Sequence, residues 1–372
     1  MAAFIPVNEP VLDGNERKYL NECIDTGWIS SEGPFIKEFE SRFAKRVGRK
    51  HGIAVCNGSA ALDAAVAALR IGPGDEVILP TFTIISCAAA ISRLGATPVV
   101  IDCDPATWNM NVSDIEARIT GKTRAIMVVH IYGLPVDMDP VLDIARRHKL
   151  AVIEDAAEMI GQTYRGNPCG SFGEISTFSF YPNKHVTTGE GGMIVTDDDA
   201  LAERCRELRN LSFRAPRRFV HEELGWNFRM TNMQAALGLA QLERLDEFVA
   251  RKKRTFARYT ELLSGIRGVQ LPVATTDYAE NINWVYGIVI DDSVGFDADE
   301  AMRRLAELGI GTRPFFWPMH EQPVYRNIGL FQNESYPCAE RIARMGLYIP
   351  SGLALTDAQI SRVSAAVRQV FA

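Results

Sequence analysis

An α/β fold whose mostly parallel sheet is covered by helices on both faces, followed by a smaller α+β domain, is what this sequence predicts. Three observations carry that expectation. Between about residues 52 and 200, short runs rich in Val and Ile alternate with helix-period segments, the pattern of strands buried on both faces. The 372 residues exceed what one core usually supports, so two domains are expected. After Pro272 the alternation stops and a different mix of strand and helix begins.

The strand runs are Ile53–Val55, Val77–Leu79, Pro98–Ile101, Ala125–Val129 and Ala151–Ile153. Between them, Ala60–Leu69 is rich in alanine and leucine and is stopped by Gly72-Pro-Gly74, while Pro140–His148 carries basic residues in its last turn, where they meet the negative end of a helix dipole. One long helical pattern covers Asn232–Leu263. It contains the basic run Arg251-Lys-Lys-Arg254, read as a solvated helix face on a connector between domains. Beyond it come a strand at Trp284–Ile290 and helices at Asp299–Leu308 and Asp357–Phe371. The expected division is a large domain over residues 1–250, including the N-terminal segment, and a small domain over 251–372.

Hydrophobic residues at 47% and charged residues at 23% describe an ordinary globular chain. A net charge of −6 provides no basic footprint for nucleic acid or an anionic membrane surface, so neither is expected as a partner. No apolar run approaches the ~18 residues of a membrane span, and the N-terminus lacks the pattern of a secretory signal, so a cytoplasmic protein is expected. The seven cysteines are dispersed without a Cys-x-x-Cys pair and read as reduced thiols. The six histidines show no ligand spacing, so no metal is expected, and His130 and His148 read as structural.

Ligands of open α/β sheets bind beyond the carboxyl ends of the strands, and three such ends carry polar residues. Cys56-Asn-Gly-Ser59 offers amides and a hydroxyl to an anion, or else is an Asn-Gly turn with a serine helix cap. Asp155 directly follows an apolar run, where a carboxylate needs a cation or strong donor, unless it merely caps a helix. Ser179 sits on the polar side of Ile175–Tyr181, and Lys184 follows within Asn183-Lys-His-Val-Thr-Thr-Gly-Glu-Gly-Gly192. Standing alone, that lysine would be a solvated loop charge. Together the three segments fit pyridoxal 5′-phosphate, which needs a lysine amine for its aldehyde, a carboxylate for its ring nitrogen and a phosphate cup. Phosphate-loop and dinucleotide fingerprints are absent from the sequence.

Six ordered blocks carry a resemblance over nearly the whole chain: Gly27–Gly33, Asn57–Ala61, Gly72–Pro80, Ile153–Glu158, Asn183–Gly192 and Gly225–Asn232. The chain resembles the DegT/DnrJ/EryC1/StrS family of pyridoxal-phosphate sugar aminotransferases. The resemblance implies a fold-type-I, aspartate-aminotransferase-like transferase. Among the branches of the family it looks most like the one that aminates C4 of GDP-4-keto-6-deoxy-mannose with L-glutamate, with amination at C4 or C3 of a UDP- or dTDP-linked keto sugar as the alternative. A dehydratase or a cofactor-binding module without catalysis is the more distant one. The same resemblance makes Lys184 the catalytic residue and Asp155 the partner of the ring nitrogen. Glu158 is placed near the phenolic oxygen. Gly58, Ser59, Ala60 and Ser179 are assigned to the phosphate side, Ile84 to the ring, and Asn227 to the cofactor phosphate of a neighbouring subunit. That last role implies a homodimer with shared active sites. Trp28, Ser30, Arg229, Arg313 and His320 are implied on the substrate side.

Three departures from the family pattern concern the substrate side. Ile84 stands in Pro80-Thr-Phe-Thr-Ile84 where the family usually stacks an aromatic ring. The loop Leu211–Pro216 lacks the family branch's glycines, and Trp317 replaces a smaller polar residue within Arg313–His320. A sister branch uses histidine in place of the lysine, but the spacing to Thr187-Thr-Gly-Glu-Gly-Gly192 puts Lys184, not His185, at the catalytic position.

Overall fold

The computed structural model describes residues 3–214 and 217–372. Helices α1 (Glu16–Thr26) and α2 (Pro34–Arg46) precede an alternation of β1 (His51–Val55), α3 (Gly58–Ala68), β2 (Glu76–Pro80), α4 (Ile85–Arg93) and β3 (Thr97–Ile101). The chain continues through β4 (Thr123–Val129), α5 (Met138–His148), β5 (Ala151–Asp155), a small hairpin β6 (Thr163–Tyr164) and β7 (Asn167–Pro168), β8 (Ile175–Ser179), β9 (Gly192–Thr196), α6 (Asp199–Leu208) and α7 (Asn232–Leu242). Seven strands form one sheet in the order β1-β9-β8-β5-β4-β2-β3, with β9 antiparallel to both neighbours and the other pairs parallel.

Alternate side chains of the strands divide between two apolar cores. Ile53, Val77, Met127 and Ile153 point to the side of α3, α4 and α6, whereas Ala54, Ile78, Ile126 and Val152 point to the side of α1, α2, α5 and α7. This two-sided burial is why the strands read as continuous apolar runs. Helix α3 starts two residues before the expected Ala60, because the cap is Asn57, whose side chain accepts from the Ala60 amide at 2.8 Å. The serine cap considered from sequence is therefore replaced by an asparagine cap.

The single helical pattern expected over Asn232–Leu263 is two helices, α7 and α8 (Leu245–Leu263), parted at Glu243 and Arg244. Their burial requirements differ. Helix α7 buries Ala235, Ala236, Gly238 and Leu239 under α1 and α2, while α8 presents one buried stripe through Phe248, Lys252, Phe256, Tyr259 and Leu263. A straight rod could not satisfy both. Residues 250 and 251, where sequence divides the domains, lie inside α8.

The C-terminal unit contains β10 (Val269–Gln270), β11 (Tyr286–Ile290), α9 (Ala298–Glu307), β12 (Arg313–Pro314), α10 (Pro323–Asn327), α11 (Pro337–Met345), β13 (Gly346–Ile349) and α12 (Asp357–Val370). Its antiparallel sheet runs β10-β11-β13-β12. Tyr259, Tyr286, Ile288, Leu305, Ile349 and Val363 build its core. Ahead of α1, which packs with α2 on the large sheet's side, residues 5–9 run along this unit. The Ile5 amide donates to Gly309 O and the Ser351 amide to Val7 O, satisfying backbone groups that chain order alone would not pair.

Candidate active site

The site forms at the carboxyl ends of β5 and β8, where a cavity of about 550 Å³ opens between the two units. Asp155 ends β5 and is 3% exposed. Its Oδ1 accepts from the Ala157 amide at 3.0 Å and its Oδ2 from Cys87 Sγ at 3.1 Å. The chain turns after it without forming a helix, so the helix-cap alternative does not apply. Burial pushes the Asp155 carboxyl up, against the opposing pull of the Cys87 hydrogen bond and the Lys184 charge.

Beyond β8 the chain folds back on itself. Phe180 donates its amide to Gly191 O and accepts from the Thr188 amide, and Gly189, at φ +77°, takes a left-handed conformation that glycine adopts without steric cost. This turn aims Lys184 into the cavity. Its Nζ lies 3.7 Å from Glu158 Oε1 and 3.5 Å from the centre of the Trp284 ring. Burial pulls the Lys184 amine down from its usual range, only partly offset by Glu158 and Asp155. Burial likewise pushes Glu158 up to about 7, although Lys184 and the Tyr132 amide at 2.7 Å pull the other way. Desolvation outweighs attraction on both partners, so both are held toward their neutral forms.

Gly58 opens α3 directly against Ser179, and a Cβ there would lie 2.8 Å from Ser179 Cβ. The missing side chain leaves the backbone of the helix N-terminus open to an anion. Ser59 Oγ and Ser86 Oγ lie 2.7 Å apart beside it. Thr177 Oγ1 and Asn183 Oδ1 are buried at the cavity without a hydrogen-bond partner. An anion cup, a carboxylate at the far end, a buried amine between them and polar atoms left unpaired fit pyridoxal phosphate.

Of the residues singled out in sequence, Gly58, Ser59, Ile84, Asp155, Glu158, Ser179 and Lys184 line this cavity. The others lie elsewhere in the single chain. The Ala60 amide is occupied by Asn57. Asn227 is on the surface, its Oδ1 taking a hydrogen bond from Arg229 Nε at 3.0 Å, and it does not line its own chain's cavity. Trp28 and Ser30 are exposed, and their carbonyls are held by Asn232. Arg313 is also exposed. His320 is fully buried, with Nδ1 2.8 Å from Thr81 Oγ1 and Nε2 3.0 Å from Glu340 Oε1, leaving no ring nitrogen free to meet a substrate. The expectation of a substrate-facing His320 is therefore corrected to a tie between the units. Of the loop Leu211–Pro216, residues 215 and 216 lie outside the described residues.

Sequence reasoning missed Trp284, Phe316 and Tyr348, which enclose the cavity from the C-terminal unit. No local pattern marks them, since each reads as an ordinary strand or core aromatic. It also misplaced Lys252. The basic run 251–254 is not a uniform solvated face, because Lys252 is 4% exposed and donates to Trp284 O and Ser351 O at 2.7 and 2.6 Å.

The profile of the DegT/DnrJ/EryC1/StrS aminotransferase family matches residues 10–368. The chain belongs to that family. This aminotransferase is 48% identical over 368 residues to GDP-perosamine synthase of Caulobacter vibrioides, covering 98% of both chains, and 41% identical to GDP-perosamine synthase of Escherichia coli O157:H7, covering 99% of both. In structure it is similar to DesV of S. venezuelae, with a TM-score of 0.92, 34% identity and coverage of 99% and 98% of the two chains. It is also similar to DesI, determined in the presence of its TDP-sugar product, with a TM-score of 0.90, 33% identity and coverage of 99% and 93%. Pyridoxal phosphate is the cofactor of this aminotransferase, in keeping with the fit of the cavity. No helix among the described residues is long and apolar enough to cross a membrane.

Proposed function

We propose that this aminotransferase moves the amino group of L-glutamate to C4 of GDP-4-keto-6-deoxy-mannose, forming GDP-perosamine for polysaccharide such as O-antigen. The observation that carries the reading is a buried Lys184 amine facing Glu158 and Asp155 in a chain 48% identical to a GDP-perosamine synthase. Bound pyridoxal phosphate supplies an electron sink and a carrier for the amino group between two half-reactions, glutamate first and keto sugar second.

The chain's own residues then have separable tasks. Lys184 Nζ holds the cofactor and, once free, takes the proton from the amine-bearing carbon of the substrate. Its lowered basicity leaves a neutral amine available for that transfer. Asp155 would keep the ring nitrogen of the bound cofactor protonated, which would offset the cost of burying its charge. Glu158 would lie on the side of the phenolic oxygen. Gly58, Ser59 and Ser179 would hold the phosphate, and Ile84 would give the ring an apolar contact. Asn227, exposed in its own chain, serves the cofactor phosphate of the partner's site in a homodimer, with Trp28, Ser30, Arg229 and Arg313 toward the substrate. The cytoplasm, where nucleotide-linked sugars are made, is the compartment this reading assigns.

The similarity to DesI with its TDP-sugar product favours one second reading, a dTDP-linked keto sugar. Incubation with glutamate and a panel of GDP-, UDP- and dTDP-linked 4-keto sugars, followed by mass analysis of products, decides between them. Amination of the GDP sugar alone supports the first reading. Preference for a dTDP sugar replaces it, and release of a dehydrated sugar without amine overturns both.

A further inference from the structure

Helix α8 carries one lysine into the protein interior. Lys252 Nζ has no carboxylate partner among its hydrogen bonds; it donates to two backbone carbonyls, Trp284 O at 2.7 Å and Ser351 O at 2.6 Å. Burial, with the Lys184 charge adding to it, pushes this amine down to about 7. An ammonium in such a place loses its solvation, so a merely structural bridge is made more favourably by a neutral donor.

The two carbonyls lie just outside the β11–β13 ladder, which pairs Tyr286 with Ile349 as its outermost register. Trp284 therefore has no strand partner to fix it. The residue before it, Asn283, is held at φ +56°, a conformation that asparagine tolerates and that turns the chain sharply into β11. Besides packing against the rings of Tyr132 and Tyr348, Trp284 is held by Lys252 on its carbonyl and by the Asn183 carbonyl, which accepts from the indole Nε1 at 2.8 Å. The indole so held is the surface over which Lys184 Nζ sits at 3.5 Å. A ring face at that distance attracts an ammonium and offers nothing comparable to a neutral amine, so the placement of the ring bears directly on the amine.

We propose that Lys252 is a positioning residue for amino transfer, which fixes the Trp284 indole against the Lys184 amine by holding the Trp284 carbonyl. The inference rests on the catalytic reading of Lys184, and it reaches beyond that reading because Lys252 touches neither substrate nor cofactor. A purely structural Lys252 would tie α8 to the chain beside β11 and β13 and leave the environment of the Lys184 amine as it was.

Two measurements separate these roles. In the protein stripped of cofactor, the rate at which Lys184 is modified by a small acylating reagent is followed by mass spectrometry for wild type, Lys252→Met, Lys252→Arg and, as a surface control, Lys253→Met. Lys252→Met is expected to change the Lys184 rate at least about 3-fold, with Lys252→Arg nearer wild type and Lys253→Met unchanged. In the holoenzyme, Lys252→Met is expected to lower kcat about 10- to 100-fold with KM for glutamate within about 3-fold. Adding it to Trp284→Leu is expected to lower kcat no further, because both act through one ring. An unchanged Lys184 rate, or kcat losses that multiply in the double variant, overturns the proposal. If Lys252→Met does not fold, Lys252→Gln undergoes the same two measurements with the same criteria. Retained turnover in Lys184→Ala overturns the catalytic reading itself, while the modification rate still reports whether Lys252 acts on Lys184.

Discussion

Lys184 Nζ and Glu158 Oε1 lie 3.7 Å apart in a cavity where burial moves both groups toward neutrality. An ion pair of that spacing on the surface would hold both charges. Here the cost of desolvation exceeds the mutual attraction, which leaves a lysine amine able to accept a proton and a carboxyl able to share one.

Replacing Lys184 by alanine is expected to lower the rate of glutamate-dependent amination at least about 1,000-fold, since no other lysine among the described residues lines the cavity. The variant is also expected to lose the visible absorbance band of lysine-bound cofactor. Single-turnover assays and a spectrum check both, and a persisting band removes Lys184 from its role.

The Glu158 carboxyl, raised from 4.5 to about 7, makes the cofactor-free protein sensitive to pH. A raised carboxyl contributes stability that is complete below its unfolded value and is lost as pH rises through its folded value, here a loss of about 3 kcal/mol at most. Glu158→Gln lacks that loss. Urea unfolding is expected to show the variant gaining on wild type by about 1–3 kcal/mol between about pH 4.5 and pH 8, and a difference that stays flat with pH contradicts it.

Gly58→Ala would place a Cβ 2.8 Å from Ser179 Cβ, an atom too close to its own backbone to swing aside. The cup must widen, and affinity for pyridoxal phosphate is expected to fall about 10-fold or more while thermal unfolding of the cofactor-free protein moves by only a few degrees. Fluorescence titration with the cofactor measures the first effect.

Cys103, just beyond β3, and Cys338, in the first turn of α11, bring their sulfurs within 3.5 Å although 235 positions separate them in the chain. The arrangement of the two units therefore predicts that diamide, a two-electron oxidant, joins them with loss of two thiol hydrogens and its own reduction to the hydrazine. A non-reducing peptide map is expected to show Cys103 linked to Cys338, and failure to couple speaks against this contact between the units.

Much of the chemistry was legible in the chain because it is local. Strand ends, a glycine-rich return after β8 and a helix entry at Asn57 are patterns of a few neighbouring residues, and they delivered Gly58, Ser59, Asp155, Ser179 and Lys184 to one cavity. The sequence by itself thus determined the α/β alternation and the polar groups that these strand ends bring to one cavity. Only the tertiary structure decided which polar residues remain free to act. His320 is consumed by Thr81 and Glu340, Asn227 is turned outward, and Lys252, one of four basic residues in a row, is the one drawn inside to hold Trp284. The physical reason is that burial and partner choice at these positions depend on segments distant in the chain, and the same side chain is a solvated charge or a buried tether according to what packs against it.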